Sequence, residues 1–515
     1  MTTPSRIVVI GAGIGGLTTA ALLAQAGCNV TVLEGQTYAG GSAGTFLHQG
    51  YRFDAGATVA GGFQPGGPHA LVAERLALNW DVRQHDPAWV VHLPDRSIRL
   101  CQDNAEVEQN FPASSRFWKT QSRLAALGWS LSGQGLPWIP TSPAEIVHLV
   151  DVGARNLPHD LELIPYALMS AYRWLALSGL SSDAAFVRFI DAQLLISAQT
   201  TSRSANAMYS ATALDLARQG VYHVRGGMGG IAETLVKRIR ELGGDVVFRQ
   251  KAVRISTREG RAVSVTTKRG DEFPCDFLVA NLTPWSLDNL LGEDSPRGLR
   301  REAERRRAGW GAFVLHLGVR ADKLPKDLPD HHQMIESYDG ALGETRSIFL
   351  SMSPRWDASR APDGHRAVTV TTHTEVQPWW DLLANDPQAY GARKDDYTER
   401  ILTNVERAIP GFRASIALML PGTPVTYEFY TGRHLGMVGG FPQSSLFRAR
   451  TPLTGLVNAR LVGDSIFPGQ STAGVTLGAM RVARDVLRRV RTGEQQLGSA
   501  AMKVQRESHS EEVLV

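Results

Sequence analysis

Three glycine-rich stretches hold the residues whose types and spacing can do chemistry in this sequence. Ile7-Val8-Val9-Ile10 is a short, β-branched apolar run of the kind buried in a parallel sheet, and it leads into Gly11-Ala12-Gly13-Ile14-Gly15-Gly16. In this GxGxxG spacing Gly11 permits a tight turn and Gly13 lets the backbone approach a pyrophosphate. Gly15 opens the helix and Gly16 allows it to pack closely on the strand. The helix N-terminus adds partial positive charge for phosphate. The spacing predicts a helix over residues 17–26 with Gly27 as its stop, then a second strand, Val30-Thr31-Val32-Leu33, ending at Glu34. Glu34 stands 18 residues after Gly16, where a carboxylate accepts hydrogen bonds from ribose hydroxyls and repels a 2′-phosphate, favouring FAD or NAD over NADP.

The second stretch is Gly40-Gly41-Ser42-Ala43-Gly44-Thr45, followed by Gly50-Tyr51-Arg52-Phe53-Asp54-Ala55-Gly56. The third runs from Leu461 through Gly463-Asp464-Ser465-Ile466-Phe467-Pro468-Gly469-Gln470-Ser471-Thr472-Ala473-Gly474. There a strand ends in Gly463, Asp464 can accept a ribityl or phosphate-bridging hydrogen bond, and Thr472, Ala473 and Gly474 offer backbone N–H groups at the start of another helix. Such donors suit the electron-rich edge of a reduced flavin.

The second stretch resembles the second flavin-binding signature of the amine oxidase and phytoene desaturase superfamily. That resemblance implies FAD as cofactor, with Gly40 and Gly41 close to its pyrophosphate. Many members carry Arg where Ser42 stands; Ser42 is similar to the carotenoid isomerase and carotenoid 3,4-desaturase branches. The third stretch resembles the closing motif of carotenoid desaturases and isomerases, and its Gln-Ser-Thr variant is similar to the 3,4-desaturases of phototrophic bacteria. By the same resemblance, the residue matching Val253 touches the adenine through its backbone.

These segments must be positioned by a larger frame. With 515 residues, 43% of them hydrophobic, the chain can bury two intermingled domains, which excludes a disordered or fibrous protein. The expected fold is α/β: a Rossmann-like FAD-binding domain of the glutathione reductase/amine oxidase type, with an interleaved α+β substrate domain. The FAD-binding domain is assigned to residues 1–80, 220–284 and 441–491, the substrate domain to 81–219 and 285–440, and a loosely ordered tail to 492–515. Gly226-Gly227-Met228-Gly229-Gly230 opens a helix over residues 231–242, and short strands follow near residues 246–248, 252–255, 263–267 and 277–280.

A net charge of +4 from 54 basic and 50 acidic residues argues against a nucleic-acid partner. The cluster Arg297, Arg300, Arg301, Arg305, Arg306 and Arg307 is interleaved with Glu302 and Glu304; it suits a solvated helix face first and an anionic-lipid contact second. Cys28, Cys101 and Cys275 lack metal-ligand or disulfide-framework spacing, so no metal is expected and a reducing compartment fits. Outside the first glycine loop there is no charge-free apolar run of roughly 18 residues, so membrane contact is expected to be peripheral, at the cytoplasmic side.

Trp129, Trp138, Tyr166, Tyr172, Trp174, Phe186 and Phe189 recur in helical patterns. Such stripes are more often core than ligand contact; the alternative is an apolar tunnel for a lipid-stored polyene. The resemblance implies a carotenoid desaturase acting at the 3,4 (3′,4′) position, passing electrons to oxygen or a quinone. No catalytic base is assigned: Asp54, Tyr209, His223 and Arg225 are polar groups near the motifs with equal claim to structural roles. The alternatives are a carotenoid cis-trans isomerase using reduced FAD, an amine oxidase-like flavoenzyme, and a non-enzymatic binding module for prenylated proteins.

Overall fold

The aliphatic runs of the first 33 residues form two adjacent parallel strands, Arg6–Ile10 and Asn29–Leu33, joined by the helix Ile14–Gln25. The computed structural model describes the backbone of residues 4–157 and 159–511; the side chains of residues 158–160 and 492–511 are not described. Strand residues Ile7, Val9, Val30 and Val32 are fully buried, which is why the runs are continuously apolar rather than alternating.

Later segments complete this sheet. Its five strands lie in the order Ala459–Leu461, Phe277–Ala280, Arg6–Ile10, Asn29–Leu33 and Asp245–Val247, all parallel. The layer is thus assembled from the N-terminus, the middle and the C-terminus of the chain. Helix Ile14–Gln25 packs against the helices Gly229–Glu241 and Thr472–Glu511, burying Leu17, Leu23, Ile231, Leu235, Ala479 and Val482 in one core. The fold is α/β with a Rossmann-like nucleotide layer. A three-stranded antiparallel meander, Ala252–Arg258, Arg261–Thr267 and Glu272–Pro274, extends from it.

A second, seven-stranded sheet has the order Ile416–Gly422, Trp310–Arg320, His365–Glu375, Ser347–Met352, His331–Ile335, Trp89–His92 and Ser97–Leu100. All its neighbours are antiparallel except His331–Ile335 beside Trp89–His92. One core places Phe313, Trp379, Tyr397, Ile401 and Val405 around the long strands. Another packs the helices Ser115–Gly133 and Ala184–Ala198 through Phe117, Trp118, Phe186 and Phe189.

The basic cluster lies on the helix Arg297–Arg305 and the residues after it. Leu299 points into the core, while Arg297, Arg300, Arg301, Arg305 and Arg307 are exposed. Arg306 instead lies over the Phe441 ring and pairs with Glu302, which also pairs with Arg450. The helix Thr472–Glu511 continues through most of the stretch expected to form a tail; that stretch has no proline, and half of its helical residues 492–511 are Ala, Gln, Glu, Lys or Arg, which favour helix. The end of the expected tail, residues 512–515, lies outside the described residues.

Candidate active site

One cavity of about 1100 Å³ runs from the first glycine loop, past the second and third, into the helical layer on the seven-stranded sheet. Single-ligand pockets span about 300–1,000 Å³, so there is room for a cofactor and part of a second, extended molecule.

The cavity's nucleotide end is built by backbone. Gly11 has φ +92°, a conformation that side chains resist, and the helix Ile14–Gln25 starts at Gly13 with no side chain capping it. The first-turn N–H groups therefore lack an internal acceptor, and Gly13, Ile14 and Gly15 line the cavity. Gly16 does not line it; a Cβ there would lie 2.3 Å from the Gly11 carbonyl oxygen, so its role is close packing. Glu34 lines the cavity and accepts the N–H of Ala12 and of Gln36, each at 2.8 Å, which ties the glycine loop to the strand end. Burial pushes its carboxyl above the usual range despite these donors, and its oxygens keep lone pairs that can accept further hydrogen bonds.

Gly40 (φ +115°) donates its N–H to the Ala12 carbonyl at 2.8 Å, joining the second stretch to the first. Gly40, Gly41 and Ser42 all line the cavity. At the third stretch Gly463 has φ +110°, and Asp464 forms an ion pair with Arg433 at 3.0 Å. Arg433 also donates to the Met437 and Gly439 carbonyls, each at 2.7 Å, so the Asp464 carboxylate is fixed before any ligand arrives. At the start of the helix Thr472–Glu511, Gly474 donates its N–H to Ser471 Oγ at 3.0 Å, while the amides of Thr472 and Ala473 find no acceptor among the described residues. Thr472, Ala473 and Gly474 line the cavity. One uncapped helix start, a second start with two open amides, and the Glu34 carboxylate on one cavity fit a dinucleotide such as FAD.

Val253 requires a correction. Its side chain is 46% exposed and it does not line the cavity; Gln250, Lys251 and Ala252 form the wall there. Ala252 pairs with Thr267 and Arg254 with Thr266, so Val253 is the extra residue of a β-bulge, turned outward.

Three of the four polar residues near the motifs are structural. Asp54 is buried and bonded by Thr45 Oγ1 at 2.7 Å, the Met228 N–H at 2.8 Å and Arg360 at 2.8 Å. His223 Nε2 lies 2.7 Å from Asp357, and Arg225 pairs with Asp81. Tyr209 alone lines the cavity; burial raises its phenol, whose O–H donates to the Ser197 carbonyl.

Sequence inspection missed Asn281, Arg433 and His69. Asn281 follows a central strand, and a Cβ on Gly13 would come within 2.4 Å of its Nδ2, so it backs the whole glycine loop. His69 Nε2 is 3.2 Å from Thr472 Oγ1, and its ring stacks on Phe63. Burial lowers His69 to about 3, so it is neutral. A polar residue directly after a buried strand was the available signal for Asn281; nothing local marks the other two.

The far end of the cavity is apolar. Trp129 and Trp138 line it, whereas Trp174, Phe186 and Phe189 belong to the helical core, Tyr166 packs against that core, and Tyr172 lies under Arg203. Ile164, Leu168 and Phe447 line the cavity and are also 52%, 69% and 58% exposed, which makes them its mouth. Beside it, the helix Pro143–Asn156 turns Ile146, Val147 and Val150 outward. Among the described residues no helix is long and apolar enough to cross a membrane, and no group of three or more His, Cys, Asp or Glu side chains is arranged to hold a metal.

Comparison with known proteins places these features in context. The description "Flavin containing amine oxidoreductase" matches residues 14–487. Prolycopene isomerase 1 of an Oncidium hybrid cultivar is 30% identical over 508 residues, covering 93% of this chain and 84% of that protein. A lycopene-forming phytoene desaturase from Paracoccus is 26% identical, covering 93% and 97%. Among solved structures, an oxidoreductase from Methanosarcina mazei superposes with a TM-score of 0.64 at 17% identity, covering 93% of this chain and all of that one.

Proposed function

The chain belongs to the flavin containing amine oxidoreductase family, and from that premise we propose that it is a carotenoid desaturase that introduces a C–C double bond at the 3,4 (3′,4′) position. The protein is an FAD-dependent oxidoreductase, and FAD when bound supplies a two-electron hydride acceptor. The observation that carries the substrate assignment is the continuity of one cavity from the dinucleotide cradle to an apolar mouth between Ile164, Leu168 and Phe447. A rod-like apolar molecule can enter there with its end against the cofactor while the rest remains in the channel or the bilayer.

The chain's own residues hold and enclose. The amides of Thr472 and Ala473 would hold the cofactor's electron-rich edge, Arg433 fixes Asp464, and the apolar walls exclude water. A cation left on a polyene is delocalised, so its neighbouring proton needs little base strength to leave. The absence of an assigned strong base in the wall is compatible with that chemistry.

The apolar mouth and the outward face of the helix Pro143–Asn156 support a peripheral seat on the cytoplasmic side of a membrane, where oxygen or a quinone is the electron acceptor. A second reading, a carotenoid cis-trans isomerase using reduced FAD, is favoured by the 30% identity to prolycopene isomerase 1. Mass analysis of carotenoids incubated in liposomes with the purified protein separates them: loss of two hydrogens supports the desaturase, and an isomer of unchanged mass supports the second reading. The intact dinucleotide cradle speaks against a prenyl-protein binding module.

A further inference from the structure

Behind the cavity wall lies a line of buried polar groups that the cofactor and substrate sites do not use. It begins at Thr58, which lines the cavity. Thr58 belongs to the segment between the second glycine stretch and the C-terminal helix: a Cβ on Gly56 would lie 2.9 Å from the Ser42 carbonyl oxygen, and one on Gly62 2.9 Å from Ala473 Cβ. Behind it, Ser351 Oγ is 2.8 Å from Thr58 Oγ1 and 3.0 Å from Nδ1 of His331. The His331 ring stands edge-on to His85, with centroids 4.3 Å apart. Nε2 of His331 and Nε2 of His85 are both buried and without a partner among the described residues, two polar atoms on adjacent rings that call for a shared bridge. His85 Nδ1 then lies 3.3 Å from Asp330, whose side chain is 21% exposed and pairs with Arg366.

We propose that Thr58, Ser351, His331 and His85 form a proton relay from the cavity to Asp330 at the surface, completed by one water molecule between the two Nε2 atoms. The inference rests on the proposed oxidation of a C–H bond in the cavity. With FAD bound to take up one hydrogen and two electrons, that reaction would leave one proton to be exported. As the neighbouring C–H bond breaks, its electron pair forms the new double bond and its proton goes to Thr58 Oγ1. Thr58 passes its hydroxyl proton to Ser351, and Ser351 passes its own to Nδ1 of His331. The Nε2 proton of His331 leaves through the water to Nε2 of His85, and the Nδ1 proton of His85 goes to Asp330 and solvent. Charge and atoms balance with no further oxidant. Both hydroxyls rotate and both rings exchange tautomers, so the chain resets.

The groups facing His331 are His85, His332, His223 with its partner Asp357, and Arg366. Burial, aided by the neighbouring imidazoles and the Arg366 guanidinium, holds His331 well below the ordinary histidine range, so it transmits a proton without storing one. Burial alone pushes the Asp330 carboxyl up, but His85 and Arg366 hold it below its usual value, so it stays ionised and releases an arriving proton to solvent rather than holding it.

The test uses the FAD-loaded full chain as wild type, Ser351→Ala and Ser351→Thr. The protein is mixed anaerobically with carotenoid-containing liposomes, and proton release is followed with an indicator dye beside flavin bleaching. Proton movement keeps pace with flavin bleaching in wild type and Ser351→Thr, and lags at least tenfold in Ser351→Ala at equal flavin content. Equal proton rates in Ser351→Ala and wild type overturn the relay. Absence of flavin bleaching in wild type overturns the substrate proposal, whereas bleaching with no proton lag in Ser351→Ala overturns the relay alone. Should Ser351→Ala not fold, ¹⁵N spectra of histidine-labelled wild type decide: His331 stays neutral with one nitrogen hydrogen-bonded to Ser351, whereas an ordinary titration near pH 6.5 overturns the relay.

Discussion

Replacing Gly474 with alanine tests the cofactor end of the site at its tightest backbone contact. The added Cβ would lie 2.0 Å from the Gly469 carbonyl oxygen, which is backbone and cannot swing aside like a side chain. Gly469 itself is confined, with φ +55° and its own Cβ position 2.5 Å from the Asp464 carbonyl oxygen. The start of the helix Thr472–Glu511 must therefore retreat, carrying the Thr472 and Ala473 amides away from the cavity. Overpacking of this kind costs about 1–3 kcal/mol. Expressed wholly in cofactor binding, that raises the Kd for FAD by about 5- to 150-fold. The assay is fluorescence titration of the flavin-free protein with FAD, accompanied by a thermal melt. Gly153→Ala is the control: Gly153 lies in the helix Pro143–Asn156 with open space at its Cβ position, and the change should leave the Kd unaltered while stabilising the fold by about 0.5–1 kcal/mol. A folded Gly474→Ala protein that binds FAD with the wild-type Kd refutes the placement of those amides.

Other expectations follow from the same contacts. Glu34→Gln places an amide against the Ala12 and Gln36 N–H groups, and the FAD Kd should rise at least about tenfold in the same titration. Arg433→Leu leaves Asp464 unpaired with its side chain only 14% exposed, and denaturant unfolding should show a loss of about 3 kcal/mol. Burial lowers His69 to about 3 and His316 and His373 to about 4, so all three are neutral in the folded chain and take up protons on unfolding below about pH 6.5. Stability is then full above that pH and falls as pH drops, by about 2 kcal/mol per histidine at about pH 5, which a series of thermal melts will reveal; a flat profile refutes it. Finally, Val147→Lys with Val150→Lys should abolish flotation with liposomes while leaving flavin content unchanged.

The glycine loops, Glu34 and the start of the last helix were legible because their roles are local. Turn, helix start and strand end follow one another within a few residues, and the fold merely brings the three stretches together. Val253 misled because a bulge is a pairing event between strands: only the register against Thr266 and Thr267 shows which residue turns outward. Arg433 and His69 reach Asp464 and Thr472 from far along the chain, and no pattern around them announces those partners. The aromatic stripes were divisible only in three dimensions. Phe186 and Phe189 lie on one helix with the periodicity of a core, whereas Trp129 faces the cavity from another helix with similar composition. The relay residues Ser351 and His331 sit on neighbouring strands of a sheet whose order cannot be read from sequence adjacency.

The central claim joins a flavin to a carotenoid in one cavity, and anaerobic mixing tests it most directly. The FAD-loaded protein is mixed without oxygen with carotenoid-containing liposomes while flavin absorbance is followed, and the extracted carotenoid is weighed by mass spectrometry. The expected result is bleaching of the flavin band in step with a carotenoid product lighter by two hydrogens. A flavin that stays oxidised while the carotenoids are recovered with unchanged mass contradicts the desaturase assignment.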